Sequence, residues 1–437
     1  MRFLKLIEFE QNYFIYDVES FNLYNIDENL YQSVKNNEVS IEELIPHSKD
    51  AESNSNLKNL TNIHLNVAQV CNLVCGYCYG IDGEYGLKGK MNKGNALNAI
   101  EYLIKNSGNE KILKVVFFGG EPLLNMPMIE EVVSFCKAKE LEVPKKFKFA
   151  IVTNGTKFDD VVNDFLNINN FEVTVSFDGD KDTQDVNRPF RGGKGSYESI
   201  LPKVKKFLES RNGNATARAT ITNHSKELLY YRDNLKKIGF KNSFVEAVTL
   251  SDFSKENYNV NDLTEDQRKQ LLEYDKKELE EFTKAIKQRE SLEEFLGSKY
   301  VVYLKQFINK VKNNQYCGVS RNMRGIAVNG DIYPCHRFVG NSDFKIGKVD
   351  SSNDEKNEKK YDVDFINDHP QCKGCFAKYY CGGGGCIHNN YVKNGSITEL
   401  DQEHCLKMHH KIKSLFSFYN SLDTSDREYL INKINLK

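Results

Sequence analysis

The chain lacks an excess of charge of either sign. Across 437 residues, 60 basic and 61 acidic side chains leave a net charge of −1. Nucleic acid is therefore not expected as the main partner. No run of about 18 apolar residues occurs, so no membrane span is expected. The N-terminal stretch MRFLKLIEFEQNYF mixes charges into its apolar residues. It has neither the apolar core nor the small-residue cleavage site of a signal peptide, and a cytoplasmic location is expected. The length exceeds one ordinary domain and suggests two or three.

Against these absences stand eleven cysteines. Cys136 is alone, in the helical stretch IEEVVSFCKAKE, where it reads as a small apolar packing residue. The other ten are grouped: Cys71, Cys75 and Cys78; Cys317 and Cys335; then Cys372, Cys375, Cys381, Cys386 and Cys405. In a reducing compartment such groups read as metal or cluster ligands rather than disulfides.

Five segments are expected along the chain. Residues 1–60 form a small N-terminal α+β unit, with short strands at Leu4–Glu8, Tyr13–Asp17 and Leu23–Ile26 and a helix at Asn29–Val34. Ser40 and Glu43 have the spacing of a capping box. Residues 61–250 alternate strands with helices, and the strands read as apolar on both faces. Their expected positions are Ile63–Val67, Lys114–Phe118, Lys148–Thr153, Glu172–Phe177, Ala217–Ile221 and Ser243–Ala247. Helices are expected at Lys93–Lys105, Ile129–Ala138, Ser196–Leu208 and Lys226–Lys236. This is the pattern of an α/β fold with a parallel sheet, either a partial barrel or an open sheet. Residues 251–314 read as a charged amphipathic helical linker, 315–410 as a Gly- and Cys-rich domain containing an exposed charged insertion at Asp350–Asp364, and 411–437 as a C-terminal helix.

Cys71-Asn-Leu-Val-Cys75-Gly-Tyr-Cys78 directly follows the first expected strand. Three closely spaced thiolates can reach three irons of one cubane, leaving the fourth iron open to a small molecule. A closed zinc site would want four ligands, and no nearby histidine completes the set. Gly119-Gly120-Glu121-Pro122 follows the second strand; it supplies close backbone approach and a carboxylate, or simply a tight strand-to-helix turn. The stretch Arg188-Pro-Phe-Arg-Gly-Gly-Lys-Gly-Ser196 lacks the spacing of a phosphate loop.

With these motifs in this order, residues 62–410 resemble the radical S-adenosylmethionine (SAM) superfamily, specifically its SPASM subgroup of peptide-modifying maturases. The resemblance implies a partial (β/α)6 TIM-type barrel with the triplet loop at its C-terminal mouth. By resemblance Cys71, Cys75 and Cys78 hold a SAM-binding [4Fe–4S] cluster. Gly119, Gly120 and Glu121 hold the SAM amino group, Tyr77 packs the adenine, and Arg218 pairs with the SAM carboxylate. Asn154 ends the third strand within Thr153-Asn154-Gly155-Thr156 and belongs to the same SAM site; Ser176 and Asp178 lie near the ribose or carboxylate.

The later cysteines read C-x12-G-x4-C, then C-x2-C-x5-C-x4-C and a last cysteine, one residue longer before Cys386 than the SPASM pattern. The Gly382–Gly385 run can absorb that residue. By resemblance Cys372, Cys375, Cys381 and Cys405 ligate an outer auxiliary [4Fe–4S] cluster, and Cys317, Cys335 and Cys386 an inner one. The inner cluster is expected to keep an open iron, with His336 or Asp331 as the alternative fourth ligand.

The implied activity is reductive cleavage of SAM to a 5′-deoxyadenosyl radical that modifies a ribosomally made peptide, by forming cysteine thioether cross-links. Carbon–carbon cross-linking and sulfatase-maturase-type oxidation are the alternatives within that chemistry. Sulfatase maturases carry an aspartate after the second SPASM cysteine, where this chain has His336. A non-catalytic multi-cluster electron carrier is the reading from another class, but it needs no GGEP, SFDG or Arg218. The implied partners are a precursor peptide with a leader and a reductant such as flavodoxin or ferredoxin. The N-terminal unit reads either as a leader-recognition domain that takes a peptide as an edge strand or as a structural cap.

Overall fold

The computed structural model describes residues 3–46, 48–53, 59–225, 231–249, 260, 262–319, 321–351, 360–361 and 363–435. The chain divides into two compact units, each discontinuous in sequence. One comprises Met1–Asn56, Leu272–Cys317 and Val363–Lys437; the other comprises Leu57–Leu271 and Gly318–Asp362.

The second unit holds a mixed sheet whose centre is parallel. Its first six strands in chain order are Asn62–Gln69, Ile112–Gly119, Lys146–Thr153, Glu172–Ser176, Thr216–Ile221 and Asn242–Ala247. Each pairs in parallel with the one before it. The strands lie within two residues of their expected positions because apolar runs bounded by polar turns define them. The other edge of the first strand is taken at its start by Met323–Ile326, also parallel, followed by Asp331–Tyr333 and Gly347–Lys348, both antiparallel, and at its end by Gly89–Lys90, antiparallel.

The strands are not apolar on both faces. In the first, Ile63, Leu65 and Val67 are fully buried on one face, while His64, Asn66 and Ala68 share the other. In the fifth, Ala217, Ala219 and Ile221 alternate with half-buried Arg218 and Thr220. The apolar face is the helix side, where Phe117 and Phe149 stack against Phe171. Each such side chain contributes on the order of 1.5–3 kcal/mol through burial. The opposite face carries polar groups because it lines the site described below.

Helices Lys93–Asn106, Met126–Glu142 and Tyr197–Glu209 follow the expected pattern. Tyr231–Ile238 covers the end of the fourth expected helix; residues 226–230 lie outside the described residues, as does most of the charged insertion. Two helices were not anticipated. Asp160–Ile168 is capped by Asp159, whose carboxylate accepts from Val162 N at 2.9 Å. Lys181–Asn187, KDTQDVN, has almost no apolar periodicity and is set by its Asp180 cap. Cys136 is fully buried inside Met126–Glu142.

The first unit builds on a three-stranded antiparallel meander, Leu4–Phe9, Asn12–Asp17 and Asn22–Ile26. Phe14 and Tyr16 pack with Phe282, Leu304, Ile412 and Phe416 in one core. Those partners come from helices Glu265–Lys287, Lys299–Ile308 and Gln402–Ser421. Glu19, just beyond the second strand, accepts from Lys312 at 2.6 Å, Lys378 at 3.0 Å and Tyr379 at 2.9 Å. These bonds hold its carboxyl below the usual carboxylate range despite partial burial. The capping box at Ser40 does not form: its hydroxyl donates to Glu42 at 3.1 Å, since Ile41–Leu44 is only one turn.

Candidate active site

The loop after the first parallel strand carries Cys71, Cys75 and Cys78, all half-buried. Its path is fixed at both ends. Fully buried Gln69 donates to the carbonyls of Glu84 and Leu87, both at 3.0 Å, and accepts from Val328 N at 2.8 Å. Segment 187–191 clamps the middle of the loop: Val74 N donates to Pro189 O at 2.8 Å, and Gly76 N to Asn187 O at 3.1 Å. Arg191 donates to the carbonyls of Cys71 at 2.8 Å and Asp82 at 3.0 Å. The stretch that resembles a phosphate loop is thus a brace for the cysteine loop.

The three thiols influence one another electrostatically, and burial pushes each upward, Cys71 to about 12. Among the described residues no three His, Cys, Asp or Glu side chains close around a single metal ion. A cubane spreads its thiolates over a larger body, and three thiols without a fourth ligand fit a cluster with one open iron. Glycines make the cradle: a Cβ on Gly83 would lie 2.8 Å from Cys71 Cβ and 2.7 Å from Gly120 Cα. A Cβ on Gly119, whose φ is +127°, would fall on the Ala68 carbonyl.

Glu121 is fully buried, and its two carboxylate oxygens already accept three hydrogen bonds. Leu123 N reaches it at 3.0 Å, Thr153 Oγ1 at 2.8 Å and Asn154 N at 2.7 Å. It therefore ties the second strand to the third, and burial pushes its carboxyl up to about 7. Asn154 continues toward the cluster loop, its Nδ2 3.7 Å from Cys71 Sγ and 3.0 Å from Asn72 Oδ1.

Asp178, also fully buried, accepts from Tyr77 Oη at 2.8 Å and Thr220 N at 2.9 Å. It forms an ion pair with Arg188 through Nε at 3.0 Å and Nη2 at 3.2 Å. The Arg188 guanidinium lies 5.0 Å from the Tyr77 ring centroid, and its Nη1 is 3.9 Å from Cys75 Sγ. Arg188 was missed as a site residue because its partners are distant in sequence. Ser176 stands opposite Arg218 in register, both half-buried on the polar face.

Two further polar groups share that face on the first strand. A ring nitrogen of His64 hydrogen-bonds one of His336, and burial pushes His64 down to about 4. The His64 ring stacks on Phe118, with centroids 5.8 Å apart. Asn66 is fully buried, and neither its oxygen nor its nitrogen meets a hydrogen-bond partner among the described residues. A buried amide of this kind keeps a donor and an acceptor available to a further group.

The first unit brings together Cys372, Cys375, Cys381 and Cys405, whose thiols are all pushed up by burial, Cys405 to about 11. Cys317 and Cys386 belong to this unit as well, and Cys335 to the other. Cys317 is exposed, Cys386 caps helix Ile387–Asn394, and Cys335 is buried before His336. No helix among the described residues is long and apolar enough to cross a membrane.

Residues 65–224 match the family model described as "Radical SAM superfamily". An uncharacterised protein of Methanocaldococcus jannaschii is 29% identical over 72% of this chain and 94% of its own length. The radical SAM cyclopropyl synthase TigE of Paramaledivibacter caminithermalis is 25% identical, covering 78% of this chain and 71% of its own. A serine-type anaerobic sulfatase-maturating enzyme of Bacteroides thetaiotaomicron is 24% identical, covering 75% and 82%. Among solved structures, tagged anSMEcpe with bound AdoMet superposes with a TM-score of 0.63 at 18% identity, over 85% of this chain and 98% of its own. The same enzyme with AdoMet and the Kp18Cys peptide superposes with a TM-score of 0.60 at 19% identity, over 86% and 100%. Residues 65–224 are thus a radical SAM domain, and the relatives of the chain include sulfatase-maturating enzymes.

Proposed function

We propose that the protein is a SPASM-type maturase that forms cysteine thioether cross-links in a ribosomally made precursor peptide. The observation that carries this reading is the cysteine triplet, which no fourth ligand joins among the described residues, cradled by glycines at the end of a parallel strand whose polar face bears an unpartnered amide. Cys71, Cys75 and Cys78 hold the cluster, which with SAM bound supplies a 5′-deoxyadenosyl radical. Tyr77, Asn154, Asp178 and Glu121 fix the loop and strand ends around it. Gly119 and Gly120 keep the backbone close to SAM. Ser176 and Arg218 are paired in register on the polar face, and Arg218 would pair there with the SAM carboxylate. Asn66 meets the substrate: its carboxamide offers a donor and an acceptor that match a peptide amide.

A four-cysteine auxiliary cluster is held by Cys372, Cys375, Cys381 and Cys405. The chemistry of the set fits, with thiolate sulfur throughout.

Oxidation of a sulfatase side chain is the second reading, and the maturating enzymes among the relatives favour it. His336, tied to His64, counts against it at the position where those enzymes keep an aspartate.

The test is anaerobic turnover of the reconstituted enzyme with SAM, reductant and any short cysteine-containing peptide that a neighbouring reading frame encodes. The reading expects 5′-deoxyadenosine and a peptide two daltons lighter whose cysteine no longer alkylates. A lighter peptide with every cysteine still alkylatable would contradict the thioether, and absence of 5′-deoxyadenosine would remove the enzyme reading.

A further inference from the structure

Helix Gln402–Ser421 brings more than Cys405 to the four-cysteine set. His409 lies one helical turn beyond Cys405, on the same face. Its Nε2 is 3.1 Å from Cys375 Sγ. His404, next to Cys405, has its Nε2 3.6 Å from Cys381 Sγ. Both rings are held by aromatic neighbours: His409 by Phe376, with centroids 4.9 Å apart, and His404 by Tyr316, edge-on at 5.4 Å.

Gly382, Gly383, Gly384 and Gly385 have φ of +73°, +78°, +69° and +67°, four left-handed residues in a row. Burial raises the Cys372, Cys375 and Cys381 thiols, and the backbone groups of Gly384, Ala377 and Gly385 act in the opposite direction. The run also makes room for an imidazole: a Cβ on Gly385 would lie 2.7 Å from His404 Cδ2.

We infer that His409, assisted by His404, is a positioning residue that raises the reduction potential of the auxiliary cluster by donating an N–H hydrogen bond to its thiolate sulfur. This rests on the reading of Cys372, Cys375, Cys381 and Cys405 as cluster ligands. A metal-bound thiolate has no proton to give, so the imidazole nitrogen facing it is the donor. Each such bond favours the reduced cluster, which carries one more negative charge, and hydrogen bonds to sulfur are among the factors that set cluster potentials. Two imidazole donors thus face two of the four sulfurs.

The test uses the full-length protein, reconstituted anaerobically with iron and sulfide, in a Cys71→Ala, Cys75→Ala, Cys78→Ala background that removes the SAM-cluster signal. Iron content and Mössbauer spectra count the remaining clusters, and a potentiometric titration followed by EPR reads their midpoints. His409→Leu is expected to keep its iron and move one midpoint to more negative potential. His409→Gln, which retains an N–H donor, is expected to restore it. His404→Leu, further from its sulfur, is expected to give a smaller shift in the same direction and serves if His409→Leu does not assemble. Unchanged midpoints with all clusters present would overturn the role of the histidines and leave the ligand reading standing. Loss of a cluster from His409→Leu and His409→Gln alike would overturn it in favour of direct ligation. Absence of any cluster at the four cysteines in the parent would overturn the ligand reading itself, and the inference with it.

Discussion

Arg188 holds Asp178 with two nitrogens, at 3.0 and 3.2 Å, where neither side chain reaches solvent appreciably. The pair joins the end of the fourth parallel strand to the segment that braces the cysteine loop. Removing one partner of a buried ion pair typically costs about 3–5 kcal/mol, because the other charge stays buried. Arg188→Ala is expected to lose that much in anaerobic denaturant unfolding. Arg188→Lys should recover little, since lysine lacks the planar fork.

Glu121 sets a pH dependence in the metal-free chain. Its folded pKa of about 7 lies above the ordinary 4.5, so the folded state binds the proton more tightly. Its contribution is fully present below about 4.5, declines as pH rises, and is gone above about 7. The span corresponds to about 3 kcal/mol. Unfolding free energies measured from pH 4 to 8 should show this fall, and Glu121→Gln should flatten it. An unchanged slope in the variant would assign the dependence elsewhere.

Asn66 should reveal itself by opposing effects. Replacing an unsatisfied buried amide with leucine recovers a desolvation cost of about 1–3 kcal/mol. Asn66→Leu is therefore expected to melt higher than the parent while losing peptide turnover and keeping SAM cleavage. A lower melting temperature would mean that the amide already has a partner.

Gly119→Ala combines strain with collision. A residue held at φ +127° costs about 1–3 kcal/mol, and here the new methyl also meets the Ala68 carbonyl. Gly192, at φ +111° with nothing within 4 Å of a Cβ, is the matched control. Gly192→Ala should show the strain alone and retain 5′-deoxyadenosine formation, which Gly119→Ala should lose.

Cys71→Ala, Cys75→Ala and Cys78→Ala together should remove about four irons per chain and all SAM cleavage. Retention of the iron with loss of cleavage would place the cluster on other cysteines.

The parallel strands were legible because each is a short apolar run between turn residues, and the cysteine groups because their spacing is local. What could not be read is long-range. Nothing near Arg188 in the sequence announces Asp178 and Cys75 as its neighbours. Lys181–Asn187 is a helix made by its cap rather than by apolar periodicity, and Ser40 has the right spacing but too short a helix to use it. Glu121 was assigned by resemblance to a ligand; the structure adds that its oxygens also knit two strands together.

The pairing of Asn62–Gln69 with Met323–Ile326 governs how the molecule can be made. One edge of the strand that leads into the cysteine loop finds its neighbour only after some 260 further residues have been translated. Until then Asn62–Leu65 lack that neighbour, while the end of the strand beside the cysteine loop is paired locally by Gly89–Lys90. Gln69, at the foot of the cysteine loop, likewise gains its bond from Val328 N only then.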